Sequence, residues 1–252
     1  MVNYIIIMKQ KTAEFLGLRK QHFVSLSRIK KSLLILCNVA LIVSCGSKEQ
    51  NNKPIDQKVV SRVEALPYYQ EATFTPYWLS NDSDSLIDFH RIPDFTFINQ
   101  HSDTITQDFY KDKIYITDFF FTVCPGICPA MTKNMNHLQK KFLDDEEVLL
   151  LSHSVTPDYD TPAVLKEYAQ RMGVNAAKWN LVTGDKELIY NLGRNHYFVE
   201  EDLGTTKDVD DFLHTENFIL IDKNKRIRGI YNGLNKASVN QLIADVKTLK
   251  AE

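Results

Sequence analysis

Ile114-Tyr115-Ile116-Thr117-Asp118-Phe119-Phe120-Phe121 runs directly into Thr122-Val123-Cys124-Pro125-Gly126-Ile127-Cys128-Pro129. The first eight residues are mostly β-branched or aromatic and are apolar on both faces. That pattern predicts a central strand buried on each side. Pro125 and Gly126 break it. Met131, Met135, Leu138 and Phe142 then recur at spacings of four, three and four, which predicts an amphipathic helix. Two cysteines therefore stand where a buried strand turns into a helix.

Downstream, Val148 to Val155 reads as a second strand. Thr161-Pro162 opens a helix, with Thr as N-cap and Pro in the first turn, and Gly173 closes it. Trp179 to Thr183 is a short strand and Lys186 to Leu192 a helix. Phe218 to Asp222 and Ile227 to Tyr231 form a hairpin, and Val239, Leu242, Ile243, Val246 and Leu249 mark a C-terminal helix. Upstream, Phe95, Phe97 and Ile105 suggest a hairpin turning at Asn99 to Asp103. A parallel βαβ unit followed by an antiparallel hairpin and a closing helix is the thioredoxin arrangement. The expected fold is α/β and thioredoxin-like: a central mixed sheet flanked by helices over residues 92–252. Residues 58–91 hold Leu66-Pro67-Tyr68-Tyr69 and Phe74-Thr75-Pro76-Tyr77-Trp78. They read as an N-terminal extension laying short strands against the domain.

The first 57 residues differ in character. Arg28, Lys30 and Lys31 precede an apolar run from Leu33 to Val43, 11 residues long. A helix spanning a membrane needs about 20, so the run fits the apolar segment of a secretory signal. It ends Ile42-Val43-Ser44-Cys45-Gly46, which resembles a bacterial lipobox. Residues 1–44 are expected to be a signal peptide, Cys45 the lipidated residue, and 45–57 a flexible polar tether. The expected location is extracytoplasmic and periplasm-facing, anchored to a bacterial membrane by lipid.

Charge agrees with export. The 252-residue chain has 30 Lys/Arg, 32 Asp/Glu and net charge −2. Residues 1–44 contain seven of the bases and one acid, which leaves the rest at −8. An acidic body argues against nucleic-acid binding. Cys37, Cys45, Cys124 and Cys128 are too few to staple a domain of this size.

The chemistry lies in Cys124 and Cys128. Unpaired N–H groups and the helix dipole at a helix start favour thiolate over thiol. Thiolate is both the metal ligand and the nucleophile toward disulfides. A structural zinc site wants four ligands, and the body offers no further cysteine. Copper(I) is soft and accepts two thiolates and an imidazole. The body has six histidines, His90, His101, His137, His153, His196 and His214. The first three and His196 lie in polar or amphipathic stretches that read as surface. His153, at the end of the second strand, and His214, just before the hairpin and after an acidic loop from Glu200 to Asp211, stay open as the third ligand.

Four segments in order resemble the Sco/SenC family of copper-binding proteins: Ile92-Pro93-Asp94-Phe95, the stretch Phe119 to Met131 with its C-x-x-x-C-P core, Ser154 to Pro162, and Leu213 to Asp222. The resemblance covers most of 92–252 and little of 1–91. It implies Cys124, Cys128 and His214 as copper ligands, with copper held as Cu(I) or Cu(II). It also implies a metallochaperone for the binuclear copper site of cytochrome c oxidase, whose copper-bearing subunit or another copper acceptor would be the partner. The family usually has Asp before the histidine, where this chain has Leu213, and often Asp where Thr156 stands. Asp210 and Asp211 are close enough in sequence to substitute for the first. The alternative is a thiol–disulfide oxidoreductase that keeps a partner's cysteines reduced, with Cys124 and Cys128 as its redox pair. A third reading is peroxide reduction at Cys124. The same fold hosts all three.

Overall fold

The computed structural model of the chain describes residues 60–201 and 212–252. The expected signal peptide, Cys45, the tether, and Asp210 and Asp211 lie outside the described residues. Among the described residues, no helix is long and apolar enough to cross a membrane.

Thr96–Asn99 (β1) and Thr104–Thr106 (β2) form the expected hairpin. Ile114–Phe120 (β3) passes through the dithiol turn into Cys128–Lys141 (α1). Then come Val148–Ser154 (β4), Pro162–Met172 (α2), Trp179–Thr183 (β5), Lys186–Asn191 (α3), Asn217–Ile221 (β6), Ile227–Asn232 (β7) and Lys236–Ala251 (α4). One sheet holds all seven strands in the order β2-β1-β5-β4-β3-β6-β7. β3 runs parallel to β4, and β4 to β5, while β6 lies antiparallel to β3. The fold is thioredoxin-like, a mixed sheet flanked by helices.

All seven residues of β3 are buried, because the strand is central and both its faces are covered. Ile114, Ile116 and Phe120 enter one core with Met131, Met135 and Leu138 of α1 and Leu242 and Val246 of α4. Tyr115 and Phe119 enter the core on the other face with Ile189, Tyr197 and Leu213. Met131, Met135 and Leu138 expose nothing, and burial of each contributes about 1.5–3 kcal/mol. α2 is capped as its sequence predicts. The Thr161 side chain accepts from the Val164 N–H, Pro162 is in the first turn, and Gly173 closes the helix at φ 71°.

The extension makes single bridges rather than strands. Tyr68 bridges to Tyr77 and Tyr69 to Ile227. Pro67 and Pro76 flank these bridges and cannot donate to a longer ladder. Two buried arginines add to the holding. Arg228 donates to the carbonyls of Leu66 (2.7 Å) and Pro67 (3.1 Å), and Arg226 to that of Leu86 (2.6 Å). The Arg228 guanidinium also lies 4.0 Å over the Tyr68 ring.

Candidate metal centre

β3 ends at Phe120, and the turn that follows carries Cys124 just ahead of α1, whose first residue is Cys128. Ile127, at the N-cap, provides no side-chain acceptor for the first N–H groups of the helix. The Cys124 sulfur takes that place. Burial opposes its ionisation, but hydrogen bonds from the Cys128 thiol and from the N–H groups of Cys128, Gly126 and Ile127 outweigh burial and hold its pKa below the ordinary thiol value. Cys128 behaves oppositely. Burial, the shared hydrogen bond with Cys124 and the nearby Asp118 carboxyl push its pKa up. Cys124 is 9 % exposed and Cys128 3 %, and both are free thiols. The pair thus consists of two buried thiols, one thiolate-prone and slightly more exposed, the other held protonated.

Two buried acids that sequence reasoning missed lie near the dithiol, and one of them fastens its turn. Asp160 is fully buried and accepts from four donors. These are the Thr122 N–H (3.1 Å), the Thr122 hydroxyl, the Ser154 hydroxyl (2.6 Å) and the Thr156 hydroxyl (3.0 Å). Thr122 is two residues before Cys124, so Asp160 fastens the start of the dithiol turn to the end of β4. Asp118, buried in β3, accepts from the Ser152 hydroxyl, which in turn accepts from Trp179 Nε1 at 2.9 Å. Desolvation raises the Asp118 pKa to about 7.

Phe121 links the turn to the segment carrying His214. Its carbonyl accepts from the Cys124 N–H at 3.4 Å, and its ring meets that of Phe212 edge-on at 5.2 Å. His214 itself is exposed. Leu213, before it, is 1 % exposed and packed in the second core. Leu213 is therefore an anchor for the segment and supplies no charge. Among the described residues, no group of three or more His, Cys, Asp or Glu is gathered as a metal site. The structure brings Cys124 and Cys128 together and docks the His214 segment beside their turn, without closing the three residues into one cluster.

The other histidines separate clearly. His153 is fully buried on the face of the sheet opposite the cysteines, stacked on Phe119 at 4.7 Å and ringed by Phe95, Phe97 and Tyr197. Burial lowers its pKa to about 3, so it is neutral and enclosed. His101 and His137 are exposed, as expected. His90 and His196, expected on the surface, are half-buried against each other. His90 Nε2 lies 2.8 Å from the His196 carbonyl.

The sequence profile of the SCO1/SenC family matches residues 86–251. This chain belongs to the SCO1/SenC family. Among solved Sco structures, the chain is similar to an SCO1/SenC family lipoprotein from Bacillus anthracis, with 32 % identity and a TM-score of 0.57 over 65 % of this chain and 96 % of that one. It is similar to BsSco, a member of the Sco family of cytochrome c oxidase assembly proteins in which a disulfide switch was identified, with 28 % identity and a TM-score of 0.53 over 64 % and 93 %. It is also similar to Bradyrhizobium japonicum ScoI, solved with copper bound, with 26 % identity and a TM-score of 0.50 over 62 % and 98 %. Copper is thus a ligand of Sco proteins, and the two soft sulfur donors gathered here suit it.

Proposed function

We propose that this Sco protein is a membrane-anchored copper carrier whose cargo is held by the Cys124 and Cys128 thiolates and the His214 imidazole, for delivery to the copper-bearing subunit of cytochrome c oxidase. The observation that carries the reading is the dithiol itself: two free, buried cysteines in one core at the start of α1, the first in the turn and the second as the first helical residue. Two thiolates suffice for copper(I), and an imidazole extends the donor set to copper(II). His214 sits two residues from Phe212, which packs on the ring next to the dithiol turn. The purified, reduced protein is expected to hold stoichiometric copper, counted by metal analysis. Metal-free protein after copper loading would refute the reading.

The unequal pair also favours a second activity. The Cys124 thiolate can attack a partner's disulfide to give a mixed disulfide. Cys128, losing its proton, then displaces the partner's sulfur. The products are a Cys124–Cys128 disulfide and a partner dithiol, with two electrons passed to the partner, one proton from Cys128 and the second from solvent. Such a reductant would prepare the acceptor's cysteines for copper.

The anchor is assigned to lipid on Cys45. The lipobox-like Ile42-Val43-Ser44-Cys45 supports it, as does the likeness to a lipoprotein. Replacing Cys45 with Ser is expected to move the protein from the membrane fraction to the soluble one, followed by fractionation and immunoblotting. Stable anchoring takes more than one acyl chain, so mass spectrometry of the wild type should show several. Retention of the Cys45→Ser protein on membranes would remove Cys45 as the anchor.

A further inference from the structure

We propose that Glu200, held in place by Arg194, is the positioning residue for His214. This inference rests on the reading of His214 as a copper ligand. Glu200 Oε1 accepts a hydrogen bond from the backbone N–H of His214 at 3.3 Å. Glu200 Oε2 accepts from Arg194 Nε, also at 3.3 Å. Neither side chain is free in solvent: Arg194 is 15 % exposed and Glu200 13 %. A shielded ion pair loses less to water and salt than a surface pair.

Arg194 is itself fixed to the sheet. It lies in a π-helical turn, Leu192–His196, that continues α3. Its guanidinium sits 5.3 Å from the Tyr190 ring, and the Tyr190 hydroxyl donates to the carbonyl of Val155, just past β4, at 3.1 Å. A chain of contacts therefore runs from the end of β4 through Tyr190, Arg194 and Glu200 to the backbone of His214.

Residues on either side of His214 are tied to the same region. Leu213 packs so closely on the π-helical turn that a Cβ at Gly193 would stand 2.9 Å from its side chain. The Thr215 hydroxyl donates to the Val199 carbonyl at 2.6 Å, and Asn217 Nδ2 to the same carbonyl at 3.0 Å. Leu213 and Thr215 point inward, and alternation leaves His214 facing out. Glu200 adds a bond to the backbone of His214 itself, across a separation of 14 residues in sequence. That bond fixes where the exposed imidazole begins, so less ordering remains to be done when a metal arrives.

The test uses the full-length protein and its Glu200→Ala and Glu200→Gln variants. Two readouts are taken: hydrogen exchange at the His214 amide in the metal-free protein, and separate titrations with copper(II) and copper(I). Glu200→Ala is expected to speed His214 exchange and weaken copper(II) binding by about tenfold, a change of roughly 1.4 kcal/mol. Copper(I) affinity and the Cys124–Cys128 potential should stay at wild-type values, because the thiolates are untouched. Glu200→Gln keeps an oxygen acceptor for the His214 N–H and should recover part of both effects. Wild-type exchange and copper(II) binding in Glu200→Ala would overturn the proposal. So would equal weakening of copper(I) and copper(II), which marks a general structural defect. If the wild type binds no copper(II), the copper reading of His214 fails, and the exchange readout alone still decides whether Glu200 fixes the segment.

Discussion

His214→Ala is expected to abolish the thiolate-to-copper(II) absorption bands while leaving the fold and the dithiol chemistry nearly intact. The imidazole is exposed, and substitutions at such positions usually change stability by no more than about 0.5 kcal/mol. The anchor of the segment is Leu213, in the second core, and it is unchanged in the variant. The donor set, however, falls from two sulfurs and a nitrogen to two sulfurs. Copper(I) accepts that set, whereas copper(II) needs a harder third ligand. Oxidation to the Cys124–Cys128 disulfide needs no imidazole. An anaerobic copper titration and a cytochrome c oxidase assay on the same strains separate the two proposed activities. Loss of copper(II) binding together with loss of oxidase supports the carrier. Unchanged copper affinity and normal oxidase would remove His214 from the site and favour the thiol reductant. His153 offers no easy replacement, because it is enclosed by aromatic rings on the opposite face of the sheet.

Asp160→Ala should be the most damaging single change near the site. The substitution strands four donors, two of them on Thr122. Leaving a buried donor unsatisfied costs about 1–3 kcal/mol, so a loss of about 3 kcal/mol or more is expected even if the loops relax. Equilibrium urea unfolding measures it as a fall in midpoint at unchanged slope. Asp160→Asn keeps the shape and one oxygen acceptor and should fall between the two proteins. A loss below about 1 kcal/mol for Asp160→Ala would mean that water serves the stranded groups well enough, and that the carboxylate is not what fastens Thr122 to the end of β4.

The parts of the protein that were legible in its sequence are those written in local pattern. β3 is apolar on both faces because it is central, and α1 repeats its apolar residues at helical spacing because one side meets the sheet. Thr161, Pro162 and Gly173 mark α2 by their own backbone chemistry. Cys124 and Cys128 stood out because a strand-to-helix turn is where thiolates are stabilised. What was hidden depends on partners far away in the chain. Asp160 looks like one more loop acid until Thr122, 38 residues earlier, is placed against it. Glu200 opens what its sequence shows only as an acidic loop, yet its carboxylate is shielded and bonded to Arg194 and His214. Arg226 and Arg228 sit in and after a polar turn, and they are buried because the extension brings carbonyls to them. His90 and His196 read as surface for the same reason: neither stretch of sequence shows the other. Hydrophobic period reports which face is covered, but not which polar atoms meet across the fold.

On the proposed function, one pair of sulfurs serves both as copper site and as redox couple. Copper uptake by the fully reduced protein and by the same protein oxidised to the Cys124–Cys128 disulfide tests it most directly. A disulfide offers no thiolate, so the reduced form should bind stoichiometric copper and the oxidised form almost none, with uptake restored on reduction. Equal uptake by the two forms would place copper elsewhere in the protein and contradict the shared site.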